Sequence, residues 1–258
     1  MKLNAWVAAM ERIAPPELAL EGDNIGLLVG LDKDAISKVL VALDCTAAVV
    51  HEAVDQQADL VLTHHPLFFR SVNRLLFEKP DTAAACFLLR NGIGHYAAHT
   101  NLDAAVGGVN DVLAHLLNVQ DMVPFGDGVG RIGKLPFPET LEILARRVGA
   151  SLGTTIRMVG NIASTVQTVA LTGGSGGMDL ISAKAANADV FITGELKHHE
   201  ALEALTLGLH CVVAGHFETE RIVLRPLIKR LQKETPDVQY MLAQADIGPF
   251  VTVQEDWT

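Results

Sequence analysis

The sequence alternates short apolar runs with helical segments, and it does so twice, which restricts the possible folds more than any other feature. The apolar runs occupy residues 39–43, 60–62 and 94–99 in the first half and 168–171, 190–192 and 210–216 in the second. Runs this short are typical of buried strands, and segments such as 47–57 between them have helical spacing. Two successive strand–helix–strand–helix–strand patterns predict an α/β protein of two related units with mostly parallel sheets.

The chain divides naturally around a segment of different composition. Residues 124–163 are rich in glycine and proline, which favours a connector, with one helix expected at 138–148. We therefore expect a first α/β unit over residues 1–123 and a second over 164–258. An Ala-Asp pair stands before the second strand of each half, as Ala58-Asp59 and Ala188-Asp189, and this supports an internal duplication.

The composition narrows the class of protein. Hydrophobic residues make up 49% of the 258 residues and charged residues 19%, which excludes a disordered chain and predicts a large buried core. A formal net charge of −10 argues against nucleic-acid and membrane binding, unless basic residues converge on one surface. No run of about 18 uncharged apolar residues is present, so no membrane span is expected. The three widely spaced cysteines favour the reducing cytoplasm over a disulfide-bonded scaffold.

Potential metal ligands follow two predicted strands of the first half, at the strand ends where ligands gather in parallel sheets. His64 and His65 come directly before Pro66, where the chain can turn, so that the two imidazoles can point at different ions. Asp103 comes four residues after His99 and can bridge two cations. His99 itself could be a ligand, orient Asp103 or only satisfy the strand end.

The second half adds a histidine and a carboxylate after its third strand. His216 and Glu220 are four residues apart and share one face if a helix begins at His216. Each stretch alone is better explained by loop histidines bonded to the backbone, by a cap or turn, or by an ordinary helix start. Together they supply five donors, which exceed the three protein ligands of a catalytic zinc and match a two-metal site with ions about 3.5–4 Å apart. The predicted ligands are His64, His65, Asp103, His216 and Glu220. Such donors suit Zn, Mn, Fe or Co.

Several other polar groups near these strand ends have open roles. Glu195 ends the second strand of the second half, where it could act as a proton shuttle, orient a histidine or cap the next helix. His198 and His199 lie on that helix, and Asp44 ends the first strand as a possible outer carboxylate. The glycine-rich loop 173–177 could cradle an anion, but it lacks the lysine of a Walker loop.

Four motifs in this order resemble the Nif-three-like family, whose members are also called GTP cyclohydrolase 1 type 2 homologues or dinuclear metal centre proteins. The motifs are Asp23-Asn24-Ile25-Gly26-Leu27-Leu28-Val29-Gly30, Thr63-His64-His65-Pro66-Leu67, His99-Thr100-Asn101-Leu102-Asp103 and Gly215-His216-Phe217-Glu218-Thr219-Glu220. The resemblance implies a two-domain α/β fold and a binuclear site made by the five residues named above. It also implies a toroidal homohexamer whose sites face an interior cavity. The inserted domain of some longer relatives has no counterpart in the short segment 124–163.

The residues and the resemblance together favour a metal-dependent hydrolase of a small nucleotide- or heterocycle-like substrate, in which two divalent ions activate a water molecule. Ring opening of a guanine nucleotide is the reaction that the family name suggests. The alternative is a protein without catalytic activity that stores, delivers or senses metal, or that binds a regulatory partner.

Overall fold

Two open β-sheets, each with helices on both faces, make up the part of the chain that the structure describes. This structure is a computed structural model, and it describes residues 1–31 and 34–251. The strand pairing confirms the predicted α/β class with largely parallel sheets.

The first sheet combines strands from the beginning and the end of the chain. Its described strands, in spatial order, are β1 (Gly26–Val29), β4 (Gly94–Ala97), β3 (Leu60–Thr63), β2 (Lys38–Ala42) and β11 (Gln239–Leu242). β1 runs antiparallel to β4, and the other neighbours are parallel. Val39 and Val41 of β2 face one apolar layer while Leu40 and Ala42 face another. Burial of both faces explains why the sequence shows a continuous apolar run here rather than alternation.

The second sheet has a parallel centre with antiparallel strands at both edges. Its described strands, in spatial order, are β5 (Gln120–Phe125), β6 (Gly130–Thr140), β8 (Thr165–Ser175), β9 (Val190–Glu195), β10 (His210–Val213) and β7 (Arg157–Val159). β8, β9 and β10 are parallel to one another, and the remaining pairs are antiparallel.

Helices cover both faces of each sheet. Those on the first sheet are α1 (Leu3–Ile13) and α10 (Leu224–Glu234) on one face and α2 (Ala47–Asp55) and α3 (Pro80–Arg90) on the other. Those on the second sheet are α5 (Val109–Leu116) and α6 (Leu141–Leu152) on one face and α7 (Leu180–Ala185) and α8 (His198–Leu207) on the other. Two helices of five residues, α4 (Thr100–Ala104) and α9 (His216–Glu220), follow the carboxyl ends of β4 and β10.

The two units correspond strand by strand. β1, β4, β3 and β2 lie side by side in the first sheet as β7, β10, β9 and β8 do in the second, and β1 and β7 are both antiparallel to their neighbours. Asp59 and Asp189 make equivalent hydrogen bonds in the two units. The Oδ2 atom of Asp59 accepts hydrogen bonds from the backbone N–H groups of residues 37–38, and that of Asp189 from those of residues 167–168. This correspondence supports the internal duplication.

The structure differs from the expected connector at residues 124–163. This segment contains the end of β5 and all of β6, α6 and β7, and its strands pair within the second sheet. Its prolines fit because β5 is an edge strand and because the pairing of β6 with β8 is interrupted between Lys134 and Glu139, where Pro136 and Pro138 lie. The helix begins at Leu141 rather than at residue 138, after an N-cap at Thr140. The boundaries of the two units stay a prediction.

Two further expectations concern membranes and disulfides. Among the residues described, no helix combines the length and the apolar character needed to cross a membrane. The three cysteines, Cys45, Cys86 and Cys211, are unpaired thiols, and burial raises the pKa of Cys45 and of Cys211 to about 12. These two thiols therefore stay protonated at neutral pH.

Candidate metal centre

The carboxyl ends of strands from both sheets meet at one cluster of imidazoles and carboxylates. His65 follows β3 of the first sheet and His216 follows β10 of the second, and their Nε2 atoms are 3.3 Å apart although 151 residues separate them in sequence. The predicted convergence of strand ends is therefore present, and it takes place between the two units.

The turn after β3 presents two adjacent imidazoles. The backbone N–H groups of His64 and His65 still bond to the carbonyls of Ala42 and Leu43, so sheet pairing also holds the two residues that follow β3. The Nδ1 atom of buried His64 lies 2.9 Å from the carbonyl oxygen of Ala98. The Nδ1 atom of His65 lies 2.8 Å from Oδ1 of Asp44. Both rings therefore keep Nε2 free to point into the cluster.

A third imidazole comes from the end of β4. His99 Nδ1 lies 2.8 Å from Oδ1 of Asp23, and Oδ2 of the same carboxylate accepts a hydrogen bond from the Thr100 N–H at 3.1 Å. The Asn24 side chain donates to the Phe68 carbonyl oxygen at 2.7 Å, which ties the Asp23 loop to the segment after His65. Asp23 belongs to the first of the four sequence motifs, but its role as the partner of His99 was not predicted from the sequence.

The second unit contributes a histidine, its orienting carboxylate and a buried carboxylate. Gly215 has φ = +89°, a conformation that favours glycine and turns the chain from β10 into α9. The helix then puts His216 and Glu220 one turn apart, with His216 Nε2 3.1 Å from Glu220 Oε2. His216 Nδ1 lies 2.9 Å from Oε1 of Glu195. Glu195 therefore orients His216 here, and the N-cap position of α8 is Lys197, whose backbone N–H donates to Glu200 Oε2 at 2.7 Å.

Glu220 is the carboxylate on which the imidazoles converge. Its Oε2 atom is 3.0 Å from His65 Nε2, and its Oε1 atom is 3.8 Å from His64 Nε2. Asp103 is close as well, with Oδ1 3.5 Å from His64 Nε2. Although these atoms are close, His64 Nε2 is buried and has no hydrogen-bond partner among the described residues. Buried polar atoms seldom remain unpaired, so this atom indicates a site for a further group.

The donor atoms fit metal ions in two places. One compact group consists of His64, His65 and His99 and the other of His65, His216 and Glu220, and within each group the ligand atoms lie within 4.8 Å of one another. Carbonyl and carboxylate oxygens only accept hydrogen bonds, so the four Nδ1 atoms must carry the protons. In a neutral imidazole, Nε2 then carries no proton and is available to a cation, and such outer carboxylates are typical of metal-binding histidines.

The charges of the cluster are strongly coupled. Burial alone would lower the pKa of His65, but Asp44 and Glu220 outweigh it and raise the pKa to about 10. Glu220, with a smaller contribution from Glu195, raises the pKa of His216 to about 9. Burial raises the pKa of Asp103 to about 6. Without a cation, the cluster therefore stabilises its carboxylates by keeping imidazoles protonated.

All five predicted ligands lie in this cluster, and the secondary candidates divide into two sets. Asp44 and Glu195 contact histidines of the cluster, and His99 belongs to one of the two donor groups. His198 and His199 are exposed at the start of α8, and neither belongs to the two donor groups found among the described residues.

The glycine-rich loop 173–177 has a different role from the anion cradle considered above. β8 continues to Ser175 instead of ending at residue 171, so Gly173 and Gly174 belong to the strand. Gly174 has φ = +62°, and any side chain there would collide with the Glu220 carboxylate. Glycine is therefore required because the backbone passes directly beside Glu220.

A cavity of about 460 Å³ opens onto the cluster. His65, His99, Asp103, His216 and Glu220 form one wall of this cavity. Its volume lies within the range of small-molecule sites. A larger cavity of about 760 Å³ beside α6 is a shallow surface depression without histidine in its described lining, so the cluster cavity is the better candidate for chemistry.

Comparisons with known proteins agree with the motifs. The sequence model of the Duf34/NIF3 family (NGG1p interacting factor 3) matches residues 1–248. A Clostridium perfringens protein named GTP cyclohydrolase 1 type 2 homolog is 34% identical over 97% of this chain and 99% of its own length. The Schizosaccharomyces pombe protein NIF3 homolog is 32% identical over 95% of both chains.

Solved structures show the same fold. The crystal structure of a Bacillus cereus protein related to NIF3 superposes with a TM-score of 0.90 and 26% identity, and the match covers 98% of this chain and 99% of that one. Reduced HcgD from Methanocaldococcus jannaschii superposes with a TM-score of 0.83 and 30% identity over 95% of this chain and 98% of that one. The match of the family model over nearly the whole sequence shows that this chain belongs to the DUF34/NIF3 family.

Proposed function

We propose that this protein binds two divalent metal ions and acts as a metal-dependent hydrolase of a small nucleotide- or heterocycle-like substrate. The proposed ligands are His64, His65, Asp103, His216 and Glu220. The observation that carries the proposal is the buried, unpartnered Nε2 atom of His64 inside a cluster whose Nδ1 atoms are already engaged. His99 is an additional candidate ligand because it belongs to one of the two donor groups.

The residues of the chain would have distinct tasks in this reaction. Glu220 would hold metal together with His65 and His216, and Asp44 and Glu195 would hold these two histidines in the orientation that directs Nε2 inward. When bound, two divalent ions lower the pKa of a water molecule and stabilise negative charge that develops on the substrate.

The cavity favours an enzyme over a metal store. Storage or delivery needs access for the ion alone, whereas a volume of about 460 Å³ next to the ligands has room for an organic substrate. The relatives named GTP cyclohydrolase 1 type 2 homologs support a heterocyclic substrate. Metal storage, delivery or a regulatory role remains the alternative that the experiment below tests.

The family resemblance also leads us to propose a homohexamer in the cytoplasm. Unpaired cysteines support a reducing compartment. Light scattering coupled to gel filtration tests the assembly, since a hexamer of 27.6 kDa chains is readily distinguished from a monomer or a dimer.

Elemental analysis of protein purified without added metal tests the metal centre. We expect close to two metal ions per chain in the wild type and a clear loss in His65→Ala. The matched control is His115→Ala, because His115 is an exposed histidine outside the cluster. Equal metal content in wild type and His65→Ala would show adventitious binding.

Activity is tested on the same preparations, loaded with Zn, Mn, Fe or Co in turn. We expect turnover of GTP or of a related heterocycle by at least one metal form, and none by His65→Ala. Full metal content without hydrolysis on a broad substrate panel would reject the enzyme and favour storage or delivery.

A further inference from the structure

The cavity lining outside the proposed metal ligands forms a second wall with its own chemistry. Phe69 and Met178 line the cavity with large apolar side chains that are 67% and 89% exposed. Asp127 and Asp179 line it with carboxylates. None of the described residues that line this cavity is a lysine or an arginine. This wall therefore disfavours anionic groups and favours a ligand with an apolar face and hydrogen-bond donors.

Phe69 is held beside the cluster and not simply left in solvent. Its ring centroid lies 5.7 Å from that of His99 and 6.1 Å from that of His65. The hydrogen bond from the Asn24 side chain to the Phe68 carbonyl fixes the backbone directly before it. An aromatic ring that is fixed in position but exposed on one side offers a stacking surface for a planar ligand.

The carboxylates of Asp127 and Asp179 provide hydrogen-bond acceptors in this wall. Thr172 donates to Oδ2 of Asp179 at 2.9 Å, which orients the carboxylate at the end of β8. Asp127 and Asp179 line the same cavity, and burial together with the nearby charge of Asp127 raises the pKa of Asp179. Carboxylates accept hydrogen bonds from the ring N–H and amino groups of nucleobases.

We propose that this wall recognises a planar, amino-substituted nitrogen heterocycle, which stacks on Phe69 and donates hydrogen bonds to Asp179 and Asp127. The inference rests on the proposed function, because the wall formed by the proposed metal ligands must hold the metal ions that act on the same ligand. It adds the residues that select the substrate and the chemical pattern that they select: a flat ring with adjacent N–H donors.

Calorimetric titration of the metal-loaded full chain with guanosine and inosine tests this inference. Guanosine has an amino group beside its ring N–H, and inosine lacks that amino group. We expect guanosine to bind roughly tenfold more tightly or better, the size of one hydrogen bond to a charged acceptor. Asp179→Asn should remove most of this preference. Asp237→Asn is the matched control, since Asp237 is an exposed carboxylate outside the cavity lining.

Stacking is tested with the same two nucleosides. Phe69→Leu should weaken both by roughly tenfold, as expected for loss of a base–aromatic stack, without changing their ratio. Phe69→Tyr should bind both nucleosides nearly as the wild type does. Phe137→Leu is the control, because Phe137 is 80% exposed but does not line this cavity.

Metal content measured on each sample separates the two hypotheses. Equal binding of guanosine and inosine, or unchanged binding by Phe69→Leu, in protein that retains its metal ions overturns the recognition proposal and leaves the proposed function in place. A wild-type protein that binds no metal rejects the proposed function, and the recognition proposal with it.

Discussion

The two α/β units share their strand pairing but contribute to the candidate site in opposite ways. Thr63 and Thr193 occupy equivalent positions in β3 and β9, and their carbonyls accept hydrogen bonds from the N–H groups of Ala98 and Ala214, both at 2.9 Å. Two residues after the threonine, the first unit has His65, a candidate ligand, and the second unit has Glu195, which orients a histidine.

The helices that follow β4 and β10 show the reverse assignment of ligand and orienting roles. α4 and α9 each have five residues and begin at equivalent positions, Thr100 and His216. In α4, the first residue bonds to the orienting carboxylate Asp23, whereas in α9 the first residue is itself a candidate ligand. The scaffold therefore determines where side chains meet, and the sequence of each unit determines which of them binds and which of them orients.

The most damaging change to this arrangement is expected at Glu220, where the contributions of the two units join. Glu220→Gln removes the carboxylate charge that both donor groups face, so metal affinity should fall by more than the ~10–100-fold typical of an outer-shell partner. A fluorescent chelator competition assay measures the affinity. Glu218→Gln, two residues earlier on the same helix, should retain wild-type affinity. Equal affinities for Glu220→Gln and wild type would remove Glu220 from the ligand set.

Protonation of one histidine in each unit should make metal binding strongly pH-dependent. His65 and His216, with pKa values of about 10 and 9, carry protons at neutral pH in the metal-free protein. A cation must displace these protons, so affinity should rise with pH, by up to about 100-fold per pH unit for two protons. Calorimetry in buffers of different ionisation enthalpy measures the protons released. Release of none would show that these histidines are not displaced.

Stability of the metal-free protein should have the opposite pH dependence. Raised pKa values mean that the contacts of protonated His65 and His216 with carboxylates stabilise the fold fully below pH 6.5, the value for an unperturbed histidine. This contribution is lost as the pH rises through 9 and 10. Thermal unfolding with and without metal would therefore show curves that diverge towards high pH.

The orienting carboxylates allow a direct comparison of the units. Asp44→Asn and Glu195→Gln each weaken the hold on one histidine, and each should lower metal affinity by ~10–100-fold. We expect the larger effect at Asp44, because its side chain is 39% exposed against 51% for Glu195 and its partner His65 is more buried than His216. If Glu195 is a proton shuttle instead, Glu195→Gln will reduce turnover and leave metal affinity unchanged.

The sequence predicted the parts of the fold and the site that depend on local patterns. β2, β3, β9 and β10 are buried on both faces and therefore appear as continuous apolar runs. The ligands stand at the ends of such strands, and parallel strands gather their carboxyl ends at one edge of a sheet. For this reason the five ligand candidates could be named although the first and last are 156 residues apart, from His64 to Glu220.

The parts that were not predicted depend on contacts between distant segments. β5, β6 and β7 pair with their neighbours in antiparallel orientation, and only this pairing makes them strands. β6 in particular contains two glycines and two prolines, which locally disfavour a strand. The bond between Asp23 and His99 joins residues 76 positions apart, and no local pattern distinguishes this aspartate from a turn residue. Asp246 likewise accepts from the Leu43 N–H across 203 positions and so supports the turn that carries Asp44.

The smallest expected effects separate the scaffold from the chemistry. Asp59→Asn and Asp189→Asn weaken equivalent bonds between carboxylate and backbone, so each should destabilise the fold by about 1–2 kcal/mol without loss of metal. Asp59 should matter more, because it also accepts from the Ser37 hydroxyl at 2.9 Å and is less exposed than Asp189. Urea unfolding with elemental analysis measures both quantities. Loss of metal in either variant would mean that the strand pairing of one unit, and not only its strand-end side chains, sets the geometry of the cluster.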